Sequence, residues 1–589
     1  MNTRARHWRF LCLLQVLVIS GCTSLKPPEL PAKFAGDYTP ITNYLSALIN
    51  QQMKKGKLTG VSIALVVGDQ KVWSEGFGYA DVNEKLAATS NTVYRAGSVS
   101  KLFNAVAIMQ LVEQEKLDLD APITQYVDDF SINSRFGSID DITLRSLLSH
   151  QSGMPSDIVG DMWAEQPPSL DSLLKNWESS YVVLPANKHF NYSNTGISLS
   201  GLAVQRVTGS PYSAYLKNAL LDPLNMASSD FTGKLPDSNQ TKGYIGKREI
   251  DELPLRDTPA GGLNTTVNDL SQFLIALHGN GKYKNKKILS ESLLKQTFAA
   301  QNEDNLIDLN LRVGLGWFLS NRKLGGRYDV IGHDGRTVAH SAKLVSAPEA
   351  GLSVVLLSNS ADNSDALGKI AREAMSLLYK TKGLPLLNSE AYNVVDQLKT
   401  SDNLTGNYAG PFNLIEIKPD GERFKASALD MKVSLRREQD NWFLIKVIVG
   451  GFTIQPNDLK SFRVTRARID GVDRLIGSNE GQPFLLGDFI EPYPANATWD
   501  ERLGEYTLLN PLEIDEFNIK AIHLKRHRDF YYVEIIEPNN RVVKNPIRPI
   551  DPDAFIFLGT GRGIGETVVF DINREKPVFS YSGLDFMRK

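Results

Sequence analysis

Ser98 and Lys101 stand three residues apart in AGSVSKLFNAVAIMQLVEQEKL, residues 96–117. On a helix this spacing puts both side chains on one face, about 4.5 Å apart along the axis. A hydroxyl at a helix start also sits among free backbone N–H groups and the positive end of the helix dipole, which favour developing negative charge. A lysine withdrawn from water has a lowered pKa and can accept the serine proton. The pair is therefore a candidate nucleophile and base. Spacing alone distinguishes nothing, since Ser172 with Lys175, Ser292 with Lys295 and Ser320 with Lys323 repeat it. Small Ala96 and Gly97 before Ser98, and the amphipathic pattern after it, set this copy apart. The plainer reading is a helix-capping serine and a solvated lysine.

Two further segments carry matching chemistry. Tyr192 and Asn194 lie in FNYSNTGISLSG, directly before an apolar helix. A phenol near an ammonium ionises more easily and can act as a second proton carrier, while the Asn194 amide can hold a substrate carbonyl. Tyr283, Lys284 and Asn285 repeat this pattern in a lysine-rich loop, so it too depends on its surroundings. His333, Asp334 and Gly335 lie in GHDGRTVAHSAKLV, between residues 329–331 and a strand at 342–345. Gly335 would let an acyl chain lie against the strand edge. The backbone N–H after it could complete an oxyanion hole with that of Ser98. Taken alone, His333 reads equally as a surface histidine.

The elements that position these groups follow from periodicity. Residues 40–57 repeat apolar positions at helical spacing, with Pro40 suited to the first turn. Residues 61–67 and 71–80 read as two strands joined by a tight turn. The helix begun by Ser98 buries one stripe: Leu102, Ala105, Met109 and Val112. Helices and loops then lead to strands at 315–319, 328–331, 342–345 and 352–360 and a helix at 364–379. Strands at both ends with helices between predict one shared antiparallel sheet beside a helical subdomain. Beyond about Asn388 short alternating segments predict all-β structure. LTGNY from Leu404 and LGEY from Leu503 open two similar blocks, read as two small barrels or sandwiches, with residues 492–500 as the joint.

The chain of 589 residues, with a formal charge of −2, is long enough for several domains and shows no polyanion-binding bias, so no nucleic-acid partner is expected. Arg4, Arg6 and Arg9 precede an apolar stretch too short for a stable transmembrane anchor. The stretch ends on Ile19, Ser20, Gly21 and Cys22, which resembles the lipobox of bacterial lipoproteins. That resemblance implies a lipoprotein signal region at 1–22, cleaved before Cys22, with acylation of Cys22 as the mature N-terminus and attachment to a membrane through the lipid. Cys12 and Cys22 are the only cysteines, so no disulfide is expected. Thr23 after the cysteine favours the outer membrane, facing the periplasm. Residues 23–39, proline-rich at their start, read as an extended tether. His523 and His527, the one helical-type histidine pair, lie in a basic, strand-like segment that suggests solvent rather than a metal.

Ser98-x-x-Lys101, Tyr192-x-Asn194 and His333-x-Gly335, in that order, resemble the signature elements of the serine β-lactamase and penicillin-binding-protein superfamily. More narrowly they resemble its class C β-lactamase-like peptidases, esterases and D-aminopeptidases. LRSLLSHQSGMP and TPAGGLNTTVNDLSQF look like further landmarks of structural character, with His150 a packing histidine. The resemblance implies an α/β hydrolase domain at 40–385, an antiparallel sheet flanked by helices plus a helical subdomain, followed by β-barrel domains at 398–492 and 499–589. It also implies an acyl-enzyme on Ser98, proton transfer by Lys101 and Tyr192, a small-molecule or peptide substrate and no cofactor. The chain departs from true β-lactamases in having His333 where a lysine would face the β-lactam carboxylate. That histidine is only partly charged near neutral pH, and Asp334 adds a negative charge. Histidine there resembles the D-aminopeptidases and some esterases. In the D-aminopeptidases a loop of the terminal barrel reaches the active site, and residues 559–567, with Arg562 and Glu566, are the candidate. An ordinary hairpin is the simpler reading of that loop. β-Lactam hydrolysis, D,D-carboxypeptidase action and a non-catalytic envelope-binding role remain as rivals.

Overall fold

The computed structural model describes residues 25–589 except 32–33, 236–240, 321–327, 362, 384–397, 412–413, 429–430, 439, 450–451, 457–458, 514–517, 560 and 574–575. Cys22 and the leader expected at 1–22 lie outside the described residues. The segment before the first helix does not stand free as a tether would, because Leu30, Phe34 and Tyr38 pack against the hydrolase core.

One antiparallel sheet joins the two ends of the first domain. Its strands run in the order Arg312–Val313, Phe318–Leu319, Ile331–Arg336, Ser341–Ala347, Leu352–Ser358, Gly60–Val67, Gln70–Asp81 and Leu86–Ala87. The central pairing sets Val61 opposite Ser358 and Val67 opposite Leu352. Successive side chains leave opposite faces of a strand. Val61, Ile63 and Leu65 therefore meet the helices Thr39–Lys54 and Ser364–Thr381, while Ala64 and Val66 face the core that holds Leu270 and Leu274 of Val267–His278. Burial on both faces explains why VSIALVV is almost continuously apolar.

The helix after Ser98 departs from the expected single stripe. Ser98 lies in a short 3₁₀ turn, Gly97–Val99, and the α-helix Ser100–Glu113 is buried at every position from Ser100 to Met109. It packs against Asn194–Thr208, Thr258–Gly261 and Glu291–Thr297, so it is the centre of the helical subdomain rather than a surface element. The strand expected at 328–331 also lies further on. Ile331–Arg336 carries His333, Asp334 and Gly335 within it, with Ile331, His333 and Gly335 inward and Asp334 and Arg336 outward. Pairing with Ser341–Ala347 overrides the poor strand propensity of Asp and Gly.

Ten strands from Thr400–Ser401 to Gln482–Phe489 form a second antiparallel sheet, which the pairing of Phe443–Val449 with Arg463–Ile469 closes back on itself. Eight strands from Gly504–Leu508 to Leu584–Arg588 form a closed barrel. The repeat seen in the sequence has a physical basis. Buried Tyr408 donates to the Leu404 carbonyl at 2.9 Å, and buried Tyr506 donates to the Arg502 carbonyl at 2.7 Å, each bridging four residues back. Tyr506→Phe leaves that carbonyl without its partner. We expect it to cost about 1–3 kcal/mol, read as a lower urea midpoint for the unfolding of the terminal barrel.

Candidate active site

Three distant segments converge on the Ser98 hydroxyl. Lys101 Nζ lies 3.0 Å from Ser98 Oγ, and the Tyr192 hydroxyl donates to the same oxygen at 2.8 Å. Lys101 is wholly buried, donates to the Ala260 carbonyl at 2.7 Å, and sits 5.0 Å from the centre of the Tyr192 ring. The landmark TPAGGLNTTVNDLSQF thus supplies an acceptor for the lysine besides its structural part.

Local structure fixes each partner. The helix Asn194–Thr208 is capped by Ser193, whose hydroxyl accepts from the Gly196 N–H at 2.8 Å, and Tyr192 sits just upstream of that cap. The Ser193 N–H donates to His150 Nδ1 at 3.1 Å, and the His150 ring lies 4.3 Å from the Tyr192 ring at 32°. Phe318 stacks on Tyr192 at 6.4 Å, with the rings 12° from parallel. His150 is indeed a packing histidine, and what it holds in place is the phenol.

Gly335 also has a packing role. A Cβ there would lie 1.9 Å from the Ala96 carbonyl oxygen, so the bare backbone is what lets the strand Ile331–Arg336 press against the turn of Ser98. Gly97, at φ +53°, completes that contact, since a Cβ on it would lie 2.7 Å from the Arg336 nitrogen. A buried network braces the same junction. Arg95 donates to the Glu252 and Leu253 carbonyls at 2.7 and 2.8 Å, and His340 Nδ1 lies 2.5 Å from a Glu252 carboxylate oxygen.

Burial sets the charge state of the cluster. Burial, reinforced by the Arg562 charge, holds Lys101 well below its ordinary pKa, which favours the neutral amine. Burial pushes Tyr192 up, so the expected easy ionisation of the phenol is overturned by loss of solvent. Burial and the nearby Lys101 lower His333 to about 3. His333 is thus neutral at physiological pH rather than partly charged. Its Nδ1–H donates to the Asp334 carbonyl at 2.5 Å, leaving Nε2 buried with a lone pair and no partner among the described residues. Asp334 points away and pairs with Lys343 at 2.6 Å.

Asn194 is already engaged. Its amide donates to Asp157 Oδ1 at 2.8 Å, and Arg562 grips the same carboxylate through Nη2, at 2.5 Å from Oδ1, and through Nε on Oδ2. Arg562 comes from the hairpin between the terminal-barrel strands Ala554–Phe557 and Thr567–Asp571, and its guanidinium carbon lies 5.9 Å from the Tyr192 ring centre. The Gly563 N–H donates to Ser156 Oγ at 3.0 Å, Arg135 donates to the Gly565 carbonyl at 3.1 Å, and the Ser582 hydroxyl donates to the Asp157 carbonyl at 2.8 Å. The glycine-rich loop is a docked wall of the site. Asp157 was missed by sequence reading, as nothing but its place just after LRSLLSHQSGMP points to it.

The family model described as Beta-lactamase matches residues 45–377. Protein flp of Staphylococcus aureus (strain MRSA252) is 26% identical over 374 residues, 61% of this chain and 71% of that protein. Unguisins hydrolase ungD of Aspergillus violaceofuscus (strain CBS 115571) is 25% identical over 260 residues, 41% of this chain and 46% of that protein. Among solved structures, the octameric penicillin-binding protein homologue from Pyrococcus abyssi aligns with a TM-score of 0.51 at 24% identity, over 75% of this chain and 99% of that one. SurE with D-Leu aligns at 0.53 and 20% identity, over 76% and 99%. At these identities the structural likeness speaks for the fold.

Glu566, at the end of the docked loop, is buried; burial first, then the Asp157 charge, raise it from 4.5 to about 8. The folded chain keeps this proton up to about pH 8, whereas the unfolded chain releases it near 4.5, so its contribution to stability falls as pH rises between those values. Glu566→Gln keeps the neutral form at all pH. We expect it to melt at a higher temperature than the native chain at pH 8, with the gap closing as pH falls toward 4.5.

Proposed function

The chain belongs to the Beta-lactamase family, and on that premise we propose that it is a serine hydrolase cleaving amide or ester bonds through an acyl-enzyme on Ser98. The observation that carries this reading is the Ser98 oxygen held between a buried amine at 3.0 Å and a phenol at 2.8 Å. Neutral Lys101 takes the hydroxyl proton as Ser98 Oγ attacks the substrate carbonyl, and the backbone N–H groups of Ser98 and Arg336 receive the developing oxyanion. The protonated phenol of Tyr192 is placed to pass its proton to the leaving amine or alkoxide, the lysine proton refilling it. The same chain run with water releases the acyl group.

Peptide-type amides stand ahead of simple esters. A relative named as a hydrolase supports the hydrolytic reading, and histidine at position 333, as in the D-aminopeptidases that the motifs resemble, supports that order. β-Lactam hydrolysis stands behind both, because neutral His333 offers no charge to a ring carboxylate at the place where a lysine would. The lipobox-like sequence before Cys22 supports an exported protein held by lipid at the outer membrane, facing the periplasm.

A fluorophosphonate probe should label the native chain and not Ser98→Ala; labelling that survives in Ser98→Ala removes the nucleophile from the proposal. Lys101→Ala and Tyr192→Phe should each lower kcat/KM by roughly 10³-fold or more, with native melting temperatures. The native rate should fall toward acid pH as Lys101 takes up a proton. A panel of D- and L-aminoacyl amides, acyl esters and a β-lactam, ranked by kcat/KM, tests the substrate order. Cys22→Ala should move the exported protein from the detergent phase to the aqueous phase on Triton X-114 partition.

A further inference from the structure

We infer that a cavity between the two β-domains is a substrate subsite that binds a carboxylate. The cavity, about 210 Å³, opens among Arg541, Asn545 and Tyr581 of the terminal barrel, with Arg562 and Ile564 of the docked loop as its wall toward the hydrolase domain. It has room for one amino-acid-sized group, roughly seven waters at ~30 Å³ each. Arg562 belongs to both places, lining the cavity and standing 5.9 Å from the Tyr192 ring.

The chemistry of the lining selects the ligand. Arg562 spends Nε and Nη2 on Asp157 and makes no hydrogen bond through Nη1 to the described residues, while its side chain stays half exposed. Arg541 is exposed and pairs with no described carboxylate. Two guanidiniums and the Asn545 amide offer a fan of donors that matches a planar carboxylate. Glu537 is the single acidic residue of the lining, and Ile564 and the Tyr581 ring supply apolar walls for the carbon skeleton. The subsite gives the terminal barrel a direct part in choosing the substrate. It rests on the hydrolase reading for its purpose, though its test needs no turnover.

Binding of acetyl-D-leucyl-D-leucine and of its C-terminal amide, measured by calorimetry on full-length Ser98→Ala, isolates the charge. The acid should bind at least roughly tenfold more tightly than the amide, and Arg541→Gln in the same background should remove most of that difference. Equal affinities, absence of binding by either, or a difference that survives Arg541→Gln each overturn the subsite. Failure of the hydrolase reading shows separately, as loss of Ser98-dependent fluorophosphonate labelling in the native chain.

Discussion

The site depends on one amine kept out of water. Lys101 is held well below its ordinary pKa because the helix that carries it is buried nearly all round, and a carbonyl, a hydroxyl and an aromatic face replace its solvent. The neighbours obey the same condition. A cation close to this amine would push it further toward neutrality, and the imidazoles of His150 and His333 stay uncharged beside it. Lys101, Ser98 and Tyr192 thus lie within hydrogen-bond distance of one another, with the charge pairs Arg562–Asp157 and Arg256–Asp257 beside them.

The Arg562–Asp157 pair is where the domains meet. The segment 155–160 accepts from Asn194, from Arg562 and from Ser582, and its Val159 N–H donates back to the Ser582 carbonyl at 2.8 Å. Arg256 ties it from the other side, donating to the Ile158 and Gly160 carbonyls at 2.6 and 2.8 Å. The carbonyl that holds Lys101 lies four residues after Arg256. One short stretch of chain therefore links the Ala260 turn that holds Lys101, the Asn194 amide and the terminal barrel.

Much of this was legible in the sequence. The ordered trio of segments named the residues that converge, the strands at both ends of the first domain announced the shared sheet, and the tyrosine of each β-block marked the repeat. What stayed hidden depends on tertiary approach. The surroundings of Ser100–Glu113 come from three helices far along the chain, so its pattern read as a single buried stripe rather than burial nearly all round. Nothing local says that the bare backbone of Gly335 also packs against the Ala96 carbonyl. Tyr192 read as acidic because its lysine was visible and the loss of solvent was not. Asp157 carries no motif; only Arg562, 405 residues later, gives it meaning.

This distance along the chain has a consequence for the timing of maturation. The strand Leu352–Ser358, which pairs with Gly60–Val67, is made nearly 300 residues after it, and the loop that seats on Asp157 follows that residue by 405. Long-range closures of this kind are slow and late in assembly. A nascent or prematurely terminated polypeptide therefore carries an unfinished cleft. The wall that Arg562 builds against Asp157 arrives only after 405 further residues have been made.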